Sequence, residues 1–405
     1  MRYVHKLTRV AVVLAVVLAA VLLALPGLVQ TAFAQTGQAT LVGRALLPAA
    51  TFANDPNQSQ PAAQASALAN RKNINGLKVP FDSQPVGGFV SIVPGKYQGD
   101  WYALTDGTFD TAANSGDFLL RLYTIQLAWA TANGGDGTVS AGDWITFADP
   151  AKKVTKPIQK ANVQGRPLTG ADFSPRAARM VDDGTIWVAE SSIPSLLHFD
   201  ARGQLLEAPI PLGTNGVLGG LAKAVDGKSL LVAQRTDSQT VSLRAFDTSA
   251  RKFSGDTLTM QPANTADSIS GLTLINDHQA LFIEQDNQEG AAAKVKQVFL
   301  VDLSAKPPTR TLLVDLLKIS DPNNISVSNA FPKVASAVGL GATFKFPYKD
   351  VSSVYPQDGQ TLVVVNDNNV PFGLGRSPKQ ADDSEFIAVQ LPQTLQIDPK
   401  FALPH

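Results

Sequence analysis

A hairpin unit that recurs along the chain is the feature that most restricts what this sequence can fold into. Each copy contains an apolar strand, a tight turn, a second apolar strand that ends in a polar or acidic residue, and a third strand. Three of the five copies turn at Asp-Gly, at residues 183–184, 226–227 and 358–359. Asp-Gly between apolar runs predicts a β-hairpin, because the turn needs a positive φ angle. Hairpins repeated at intervals of tens of residues are typical of propeller blades.

The repeat therefore predicts an all-β fold, a β-propeller of about six blades. Five copies are visible between Gly87 and Leu391, and two longer intervals have room for a further blade. A β-sandwich is the alternative arrangement for such strands. The apolar stretch near Leu41 is a candidate for the strand that completes the last blade and joins the two ends of the ring. Segments with helical periodicity are scarce, and the best candidate covers residues 310–318.

The first 34 residues have the order of a secretory signal peptide. Arg2, Lys6 and Arg9 precede an apolar run over residues 10–25, and Ala-Phe-Ala at residues 32–34 is typical of a cleavage site. An uncleaved membrane anchor is the alternative, although a spanning helix needs about 20 apolar residues. The pattern predicts cleavage after residue 34, a single mature domain over residues 35–405, and a secreted or periplasmic location.

The composition argues against several classes of function. The chain has 34 basic and 34 acidic residues, so no basic excess points to nucleic acid as a partner. It has no cysteine, which excludes disulfides, a lipid-anchored cysteine and a thiol nucleophile. There is no G-x-S-x-G motif, and the four histidines include no pair at the spacing of zinc ligands. His198 lies within a strand and is interpreted as a packed or surface strand residue.

The second strands of the five copies end in comparable residues. When the copies are aligned, these residues are Asp106, Glu190, Gln234, Glu284 and Asp367. Four acids and one amide in register are expected near one rim of the central channel, where their oxygens suit a hard cation such as calcium. The alternative is that each side chain forms hydrogen bonds with the turn at its own strand end.

The sharpest local motif follows the last of these strands. Residues 366–373 read Asn-Asp-Asn-Asn-Val-Pro-Phe-Gly, so three amides and one carboxylate stand at a strand end. Such a group can bind a cation, with Asn368 and Asn369 as further ligands, or it can hold a strained turn in place. A second acidic loop at residues 133–139 lacks the oxygen side chains of an EF-hand and is interpreted as a hairpin loop.

Several segments together resemble the phytase-like family described as "esterase-like activity of phytase". These segments are residues 41–53, 101–106 with 114–123, 183–200, 311–322, and 366–372 with 383–387. In order, they cover nearly all of residues 41–391. The resemblance implies a propeller fold, an extracytoplasmic location and hydrolysis of phosphate or carboxylate esters. By similarity to propeller phytases, it also implies bound calcium.

The sequence departs from the family pattern at positions that bear on chemistry. The acid that usually follows Asp-Phe-x-Pro is replaced by Arg176, and the usual Gly-Phe-Glu-Gly segment reads Leu-Gly-Gly-Leu at residues 218–221. The paired acids of the second blade are reduced to Glu190 followed by Ser191. The family's Glu-Arg-Asp reads Glu-Gln-Asp at residues 284–286, so a cation that would hold an anionic substrate is missing there.

Two functions are compatible with these observations. The first is a secreted, calcium-dependent hydrolase of phosphate or carboxylate esters, weakened by the replaced residues. Its predicted catalytic residues are Glu190, Glu284 and Asp367, and its predicted calcium ligands are Asp106, Glu190, Glu284, Asp286, Asp367, Asn368 and Asn369. The second is a non-catalytic propeller that binds a ligand or partner at the channel rim. We prefer the first, with a small-molecule ester as substrate, a monomeric protein, and membrane contact only through an uncleaved signal segment.

Overall fold

A computed structural model of the chain describes residues 37–55, 71–97, 99–213, 216–237, 239–262 and 266–401. The predicted signal peptide and its cleavage site lie outside these residues. Gln38–His405 form one compact unit. Within the described ranges, no helix is long and apolar enough to cross a membrane.

Four-stranded antiparallel sheets make up most of the described chain, and we number them as blades 1 to 5. Ahead of them come β1 (Thr40–Leu47) and a small hairpin of β2 (Asn73–Ile74) and β3 (Leu77–Lys78). Blade 1 contains β4 (Phe89–Pro94), β5 (Asp100–Thr105), β6 (Arg121–Ala128) and β7 (Thr138–Thr146). Blade 2 contains β8 (Pro175–Met180), β9 (Ile186–Glu190), β10 (Ser195–Phe199) and β11 (Ile210–Pro211). Blade 3 contains β12 (Val217–Lys223), β13 (Ser229–Arg235), β14 (Val241–Asp247) and β15 (Lys252–Met260).

The second half of the ring follows the same order. Blade 4 contains β16 (Ser268–Leu274), β17 (Gln279–Gln285), β18 (Lys296–Asp302) and β19 (Thr309–Asp315). The short strands β20 (Ile319–Ser320) and β21 (Thr343–Phe344) come next. Blade 5 contains β22 (Asp350–Pro356), β23 (Thr361–Asp367), β24 (Ser384–Gln390) and, from the other end of the chain, β1. Single-turn 3₁₀ helices cover Ala112–Asn114, Gly290–Ala292, Ile325–Val327 and Pro399–Phe401.

The first strands of the blades form a closed ring around the central channel. Strand β4 contacts β8, β8 contacts β12, β12 contacts β16, β16 contacts β22, and β22 returns to β4. This arrangement is the predicted β-propeller. The described residues contain five blades, so the prediction of about six is not confirmed. The two longer intervals hold loops and the β20–β21 pair, and residues 310–318 fall mostly in the outer strand β19 instead of the predicted helix.

The hairpin turns form because an aspartate side chain satisfies the backbone donors that follow it. Asp183 Oδ1 accepts from the Thr185 N–H at 2.8 Å, and Asp358 Oδ1 accepts from the Thr361 N–H at 2.7 Å. Gly184 has a φ angle of +82°, as the Asp-Gly signal predicts. The second strands that these turns introduce are buried along most of their length, since they pack on both faces against neighbouring blades.

The N-terminal strand β1 completes blade 5, which confirms the predicted closure. It pairs antiparallel with β24, with Leu41 opposite Val389 and Ala45 opposite Phe386. A single parallel pair, Leu46 with Thr138, then links β1 to blade 1. The ring is therefore closed by backbone hydrogen bonds between the two ends of the described chain.

A buried group of charges reinforces this closure. Glu385 of β24 has no exposed surface, and it accepts from Arg44 Nε at 2.8 Å and from Arg376 Nη2 at 3.0 Å. The Tyr348 hydroxyl donates to the same carboxylate. Burial alone would raise the pKa of Glu385, but Arg376 and Arg44 outweigh it and lower the pKa to about 2. Glu385 thus stays ionised throughout the neutral range.

Replacing Arg44 by methionine should weaken the closure strongly. Glu385 would keep Arg376 but lose a buried partner, and removing one member of a buried ion pair costs about 3–5 kcal/mol. We expect Arg44→Met to lower the free energy of unfolding by this amount in a denaturant titration. Lys78→Met is the matched control, because its pair with Asp82 is exposed and 4.0 Å long and should contribute under about 1 kcal/mol. Equal losses in the two variants would contradict the assigned role of Arg44.

Candidate functional site

The second strands end, and the inner strands begin, at the same end of the ring, which we call the upper end. A cavity of about 220 Å³, the upper cavity, lies there against the first halves of the inner strands. Its charged lining residues are Arg176, Arg179, Asp350 and Asp367. A neighbouring cavity of about 180 Å³ is lined by Asp106 and Asn369, among others. The upper end thus brings together residues from blades 1, 2 and 5.

Asp106 and Asp367 approach each other across Gly88. A Cβ atom at Gly88 would lie 2.7 Å from Asp106 Oδ1 and 3.8 Å from Asp367 Oδ1. The Gly88 carbonyl accepts from the Asp106 N–H at 2.9 Å, and Gly88 has a φ angle of +65°. Only glycine fits this position well, because the left-handed backbone and the close carboxylate both disfavour a side chain. Gly88 therefore sets how closely the two carboxyl groups can approach.

The surroundings of these carboxyl groups favour their neutral forms. Burial raises the pKa of Asp106 to about 6, against the opposing effects of the Thr108 hydrogen bonds and Arg176. Burial raises the pKa of Asp367 well above its usual range, and repulsion from Asp106 and Asp350 raises it further. Carboxyl groups that repel one another in this way share protons or bind a cation.

Arg176 supplies a positive charge to this acidic group. Its charge lowers the pKa of both Asp106 and Asp367, although burial dominates at each. The side chain is exposed, lines the upper cavity, and donates from Nε to Ser191 Oγ at 3.2 Å. The residue that replaces an acid of the family pattern therefore gives the site a cation.

The Asn-Asp-Asn-Asn motif connects the cluster to the surrounding loops. Asn368 is held at both ends of its amide: Oδ1 accepts from the Gly88 N–H at 2.8 Å, and Nδ2 donates to the Asp382 carbonyl at 3.0 Å. Asn369 donates from its backbone N–H to Asp367 Oδ1 at 2.8 Å and from Nδ2 to Asp350 Oδ2 at 3.0 Å. Asn368 thus fixes the turn, while Asn369 contacts the carboxylates directly.

Glu190, a predicted ligand and catalytic residue, is occupied by its own turn. Its carboxylate is fully buried and accepts from the Ser192 and Ile193 N–H groups at 2.9 and 3.0 Å. It also accepts from the hydroxyls of Ser192 and Ser195, at 2.6 and 2.9 Å. These bonds are the turn interactions that the sequence leaves open as the alternative for every member of the ring.

Glu284 and Gln234 likewise interact with outer strands of their own blades. Glu284 forms an ion pair with Arg310 of β19, the outermost strand of blade 4. Gln234 Oε1 accepts from Arg244 of β14 at 2.9 Å. Gln234 and Glu284 each lie one residue before the end of their strands, and their side chains pair with residues of their own blades.

Gln285 and Asp286 are neighbours at the end of β17, and their side chains point in different directions, as successive side chains of a strand do. The Gln285 amide bridges to blade 5, accepting from the Val351 N–H at 2.7 Å and donating to its carbonyl at 3.2 Å. Asp286 forms an ion pair of 3.1 Å with Lys296, which is fully buried. The predicted ligand Asp286 therefore already has a cationic partner.

The predicted seven-residue calcium site is assembled only in part. The structure brings together Asp106, Asp367 and Asn369, and it adds Asp350 and Arg176, which sequence reasoning did not select. Among the described residues, no group of three or more His, Cys, Asp or Glu side chains is arranged to hold a metal ion. The sequence contained a signal for Asp350, because it is the acid at the start of the inner strand β22, and the hairpin of β22 and β23 places it opposite Asp367.

The fold and this cluster define a class of protein: a β-propeller with carboxylates and an arginine at the mouth of its central channel. The chain belongs to the phytase-like family, described as esterase-like activity of phytase, whose sequence profile matches residues 84–370. The resemblance inferred from the sequence is thereby confirmed. No curated protein matches the sequence of this chain.

Solved structures similar to this chain share little sequence with it. A luciferin-regenerating enzyme is 12% identical to this chain with a TM-score of 0.37, and the match covers 92% of this chain and 98% of the enzyme. An exo-β-1,3-galactanase from Phanerochaete chrysosporium is 10% identical with a TM-score of 0.41, and the match covers 78% of this chain and 62% of the galactanase. A GH43 endo-arabinanase from Bacillus licheniformis is 13% identical with a TM-score of 0.37, and the match covers 78% of this chain and 98% of the arabinanase. TM-scores of this size are too low to support a conclusion about activity.

The raised pKa of Asp367 should make the metal-free protein less stable as the pH rises. A carboxyl whose pKa is raised by folding binds more protons in the native state than in the unfolded state, so stability falls with pH above the unfolded value of 3.8. Asp367→Asn removes the free-energy cost of ionising this buried carboxyl and keeps an acceptor for the Asn369 N–H. In the presence of a chelator, we expect its stability gain over wild type, measured by urea unfolding, to grow from pH 4 to pH 8.

The exposed Asp143→Asn variant is the control and should show no such trend. A pH-independent difference between Asp367→Asn and wild type would show that folding does not raise the pKa of Asp367, contrary to the burial argument.

Proposed function

We propose that the chain hydrolyses phosphate or carboxylate esters in the upper cavity. Membership in the phytase-like family supports a hydrolase acting on a small-molecule substrate. The observation that carries the proposal is the convergence of Asp106, Asp350 and Asp367 with Arg176 at the mouth of the channel. Acidic and basic groups side by side can orient an ester and stabilise the charge that develops during its cleavage.

Arg176 is the group that would bind the anionic or polarised oxygen of the substrate. Its side chain lines the cavity and is exposed, and Ser191 Oγ accepts a hydrogen bond from its Nε at 3.2 Å. Gln285 stands where the family pattern has an arginine, and its amide is tied to Val351. A charged donor binds a phosphate or an oxyanion more strongly than a neutral one, so substrate binding would depend on Arg176.

We further propose calcium dependence with a smaller ligand set than the sequence predicts. Asp106, Asp367 and Asn369 would hold the ion, since a cation would offset the burial and the repulsion between carboxylates that raise the pKa of Asp106 and Asp367. Calcium accepts such oxygen donors at flexible geometry, with carbonyls and water completing its shell. When bound, it would polarise the ester oxygen and favour ionisation of a water. Asp106 and Asp367 would thereby fix the reacting group relative to Arg176.

A non-catalytic binding propeller is the second candidate. It is favoured by the three ring positions that have local partners: Glu190 in its turn, Gln234 with Arg244, and Glu284 with Arg310. A hydrolase that has lost part of its metal shell would retain a polar cavity able to bind anions. The two candidates differ in whether the upper cavity turns a substrate over.

Calcium should both stabilise the protein and switch on a weak hydrolysis. At a hundredfold excess over its dissociation constant, a ligand of the native state adds about 2.7 kcal/mol to the free energy of unfolding. We expect purified protein to cleave p-nitrophenyl phosphate or p-nitrophenyl acetate only with calcium. Asp367→Asn should abolish the calcium-induced stabilisation and lower the rate at least tenfold. Arg176→Gln should raise KM for the phosphate ester more than for the neutral acetate.

Two variants make this test specific. Asp143→Asn carries the same chemical change at an exposed position of β7 and should behave as wild type. Glu284→Gln should reduce stability and retain hydrolysis, because Glu284 pairs with Arg310; loss of hydrolysis at unchanged stability would instead restore its predicted catalytic role. If neither ester is hydrolysed in the presence of calcium, the hydrolase proposal is wrong and the non-catalytic binding propeller takes its place.

We also propose that the protein acts outside the cytoplasm after removal of residues 1–34. The basic, apolar and small-residue segments of the N-terminus support export. We expect the mature protein to begin at Gln35 when its N-terminus is determined by intact-mass measurement. Retention of Met1 on membrane-bound protein would show that the segment is an uncleaved anchor.

A further inference from the structure

A larger cavity lies at the opposite, lower end of the channel. It has a volume of about 400 Å³ and is lined by the last residues of the inner strands, including Val93, Met180, Leu274 and Tyr355. The upper cavity is lined by the first halves of the same strands. The inner strands therefore present two separate cavities, one at each end, and the lower cavity, as we call it, takes no part in the site described above.

Arg179 stands between the two cavities and lines both. Its side chain is buried, and it donates to Ser91 Oγ at 2.9 Å and to the carbonyls of Ala178 and Leu272 at 2.6 Å each. Among the described residues, no carboxylate forms an ion pair with it. Burial lowers the pKa of Arg179 to about 10, so the guanidinium is charged at neutral pH. A buried cation held only by neutral oxygens is costly unless an anion approaches it.

The rim of the lower cavity adds further positive charge. Lys96, Lys223 and Lys400 line it, and none of its described lining residues is acidic. Lys223 forms an ion pair of 2.9 Å with the exposed Asp182, and Lys400 donates to the Val225 carbonyl at 3.0 Å. Together with Arg179, these lysines give the cavity a positive potential that would attract an anion from solution.

The wall of the cavity is apolar and partly aromatic. Tyr355, Leu274 and Phe401 are each less than one-tenth exposed, and Tyr102 is half-buried beside them. Cavities of this kind bury the body of a small ligand on apolar and aromatic side chains, while a few polar groups fix its orientation. The upper cavity differs, because two carboxylates line it.

We propose that the lower cavity binds a small aromatic anion, a ring system that carries one carboxylate or sulfonate group. The ring would pack against the Tyr102, Tyr355 and Phe401 wall. The acidic group would face the lysines and the Arg179 end of the cavity. This site is independent of hydrolysis at the upper end, because the two cavities share only Arg179 among their charged lining residues.

Binding of 1-anilinonaphthalene-8-sulfonate tests the proposal directly, since the probe joins an aromatic body to one sulfonate. We expect saturable binding at one site per chain, followed by fluorescence. The uncharged N-phenyl-1-naphthylamine should bind at least tenfold more weakly. The double variant Lys223→Gln, Lys400→Gln should raise the Kd of the sulfonate at least fivefold and leave ester hydrolysis unchanged.

The controls separate this site from nonspecific dye binding. Lys252→Gln with Lys345→Gln removes two exposed lysines elsewhere and should leave the Kd within twofold of wild type. Phe401→Ala should weaken both probes, because it shortens the apolar wall. Each variant is first checked for an unchanged melting temperature; if the lysine variant fails to fold, the Phe401 variant and the neutral probe decide. Equal affinity for the two probes, or an unchanged Kd in the lysine variant, would overturn the proposal.

Discussion

The pairing of β1 with β24 is the constraint on which the other parts of the structure depend. A propeller blade buries its faces only against its neighbours, so an open ring would expose the apolar sides of blades 1 and 5. The backbone hydrogen bonds of β1 close that gap, and Glu385 holds Arg44 and Arg376 at the same seam. Since Asp106 belongs to blade 1 and Asp367 to blade 5, the acidic cluster at the upper end exists only when the ring is closed.

Much of the fold could be predicted from the sequence because its signals are local. Asp-Gly turns between apolar runs mark the hairpins of blades 2, 3 and 5, and each of the five second strands in the aligned copies is a strand of the structure. The position of the segment near Leu41 ahead of the first blade was enough to predict that it completes the last blade and closes the ring. Blade number and the strand character of residues 310–318 did not follow, since long intervals can be loops and an isolated apolar pattern is ambiguous between helix and strand.

The site was harder to predict because the direction of a side chain at a strand end depends on the turn that follows. Glu190 is followed by Ser191-Ser192-Ile193, whose donors bind its carboxylate, whereas Asp367 is followed by an asparagine turn that leaves it beside the channel. Arg176 and Asp350 reach the cluster from inner strands of blades 2 and 5. No spacing in the sequence links them to Asp106, because the contact is made through the ring.

The seam between the chain ends also governs the order in which the protein can fold. Arg44 and Glu385 are 341 residues apart, so the last blade cannot be completed until nearly the whole chain has been made. Until then, β1 is an apolar strand without its partner, and unpaired strands are prone to join other chains. Contacts of such long range also slow folding. A chain with this topology gains from being kept unfolded, or bound to a chaperone, until its C-terminal strands have emerged.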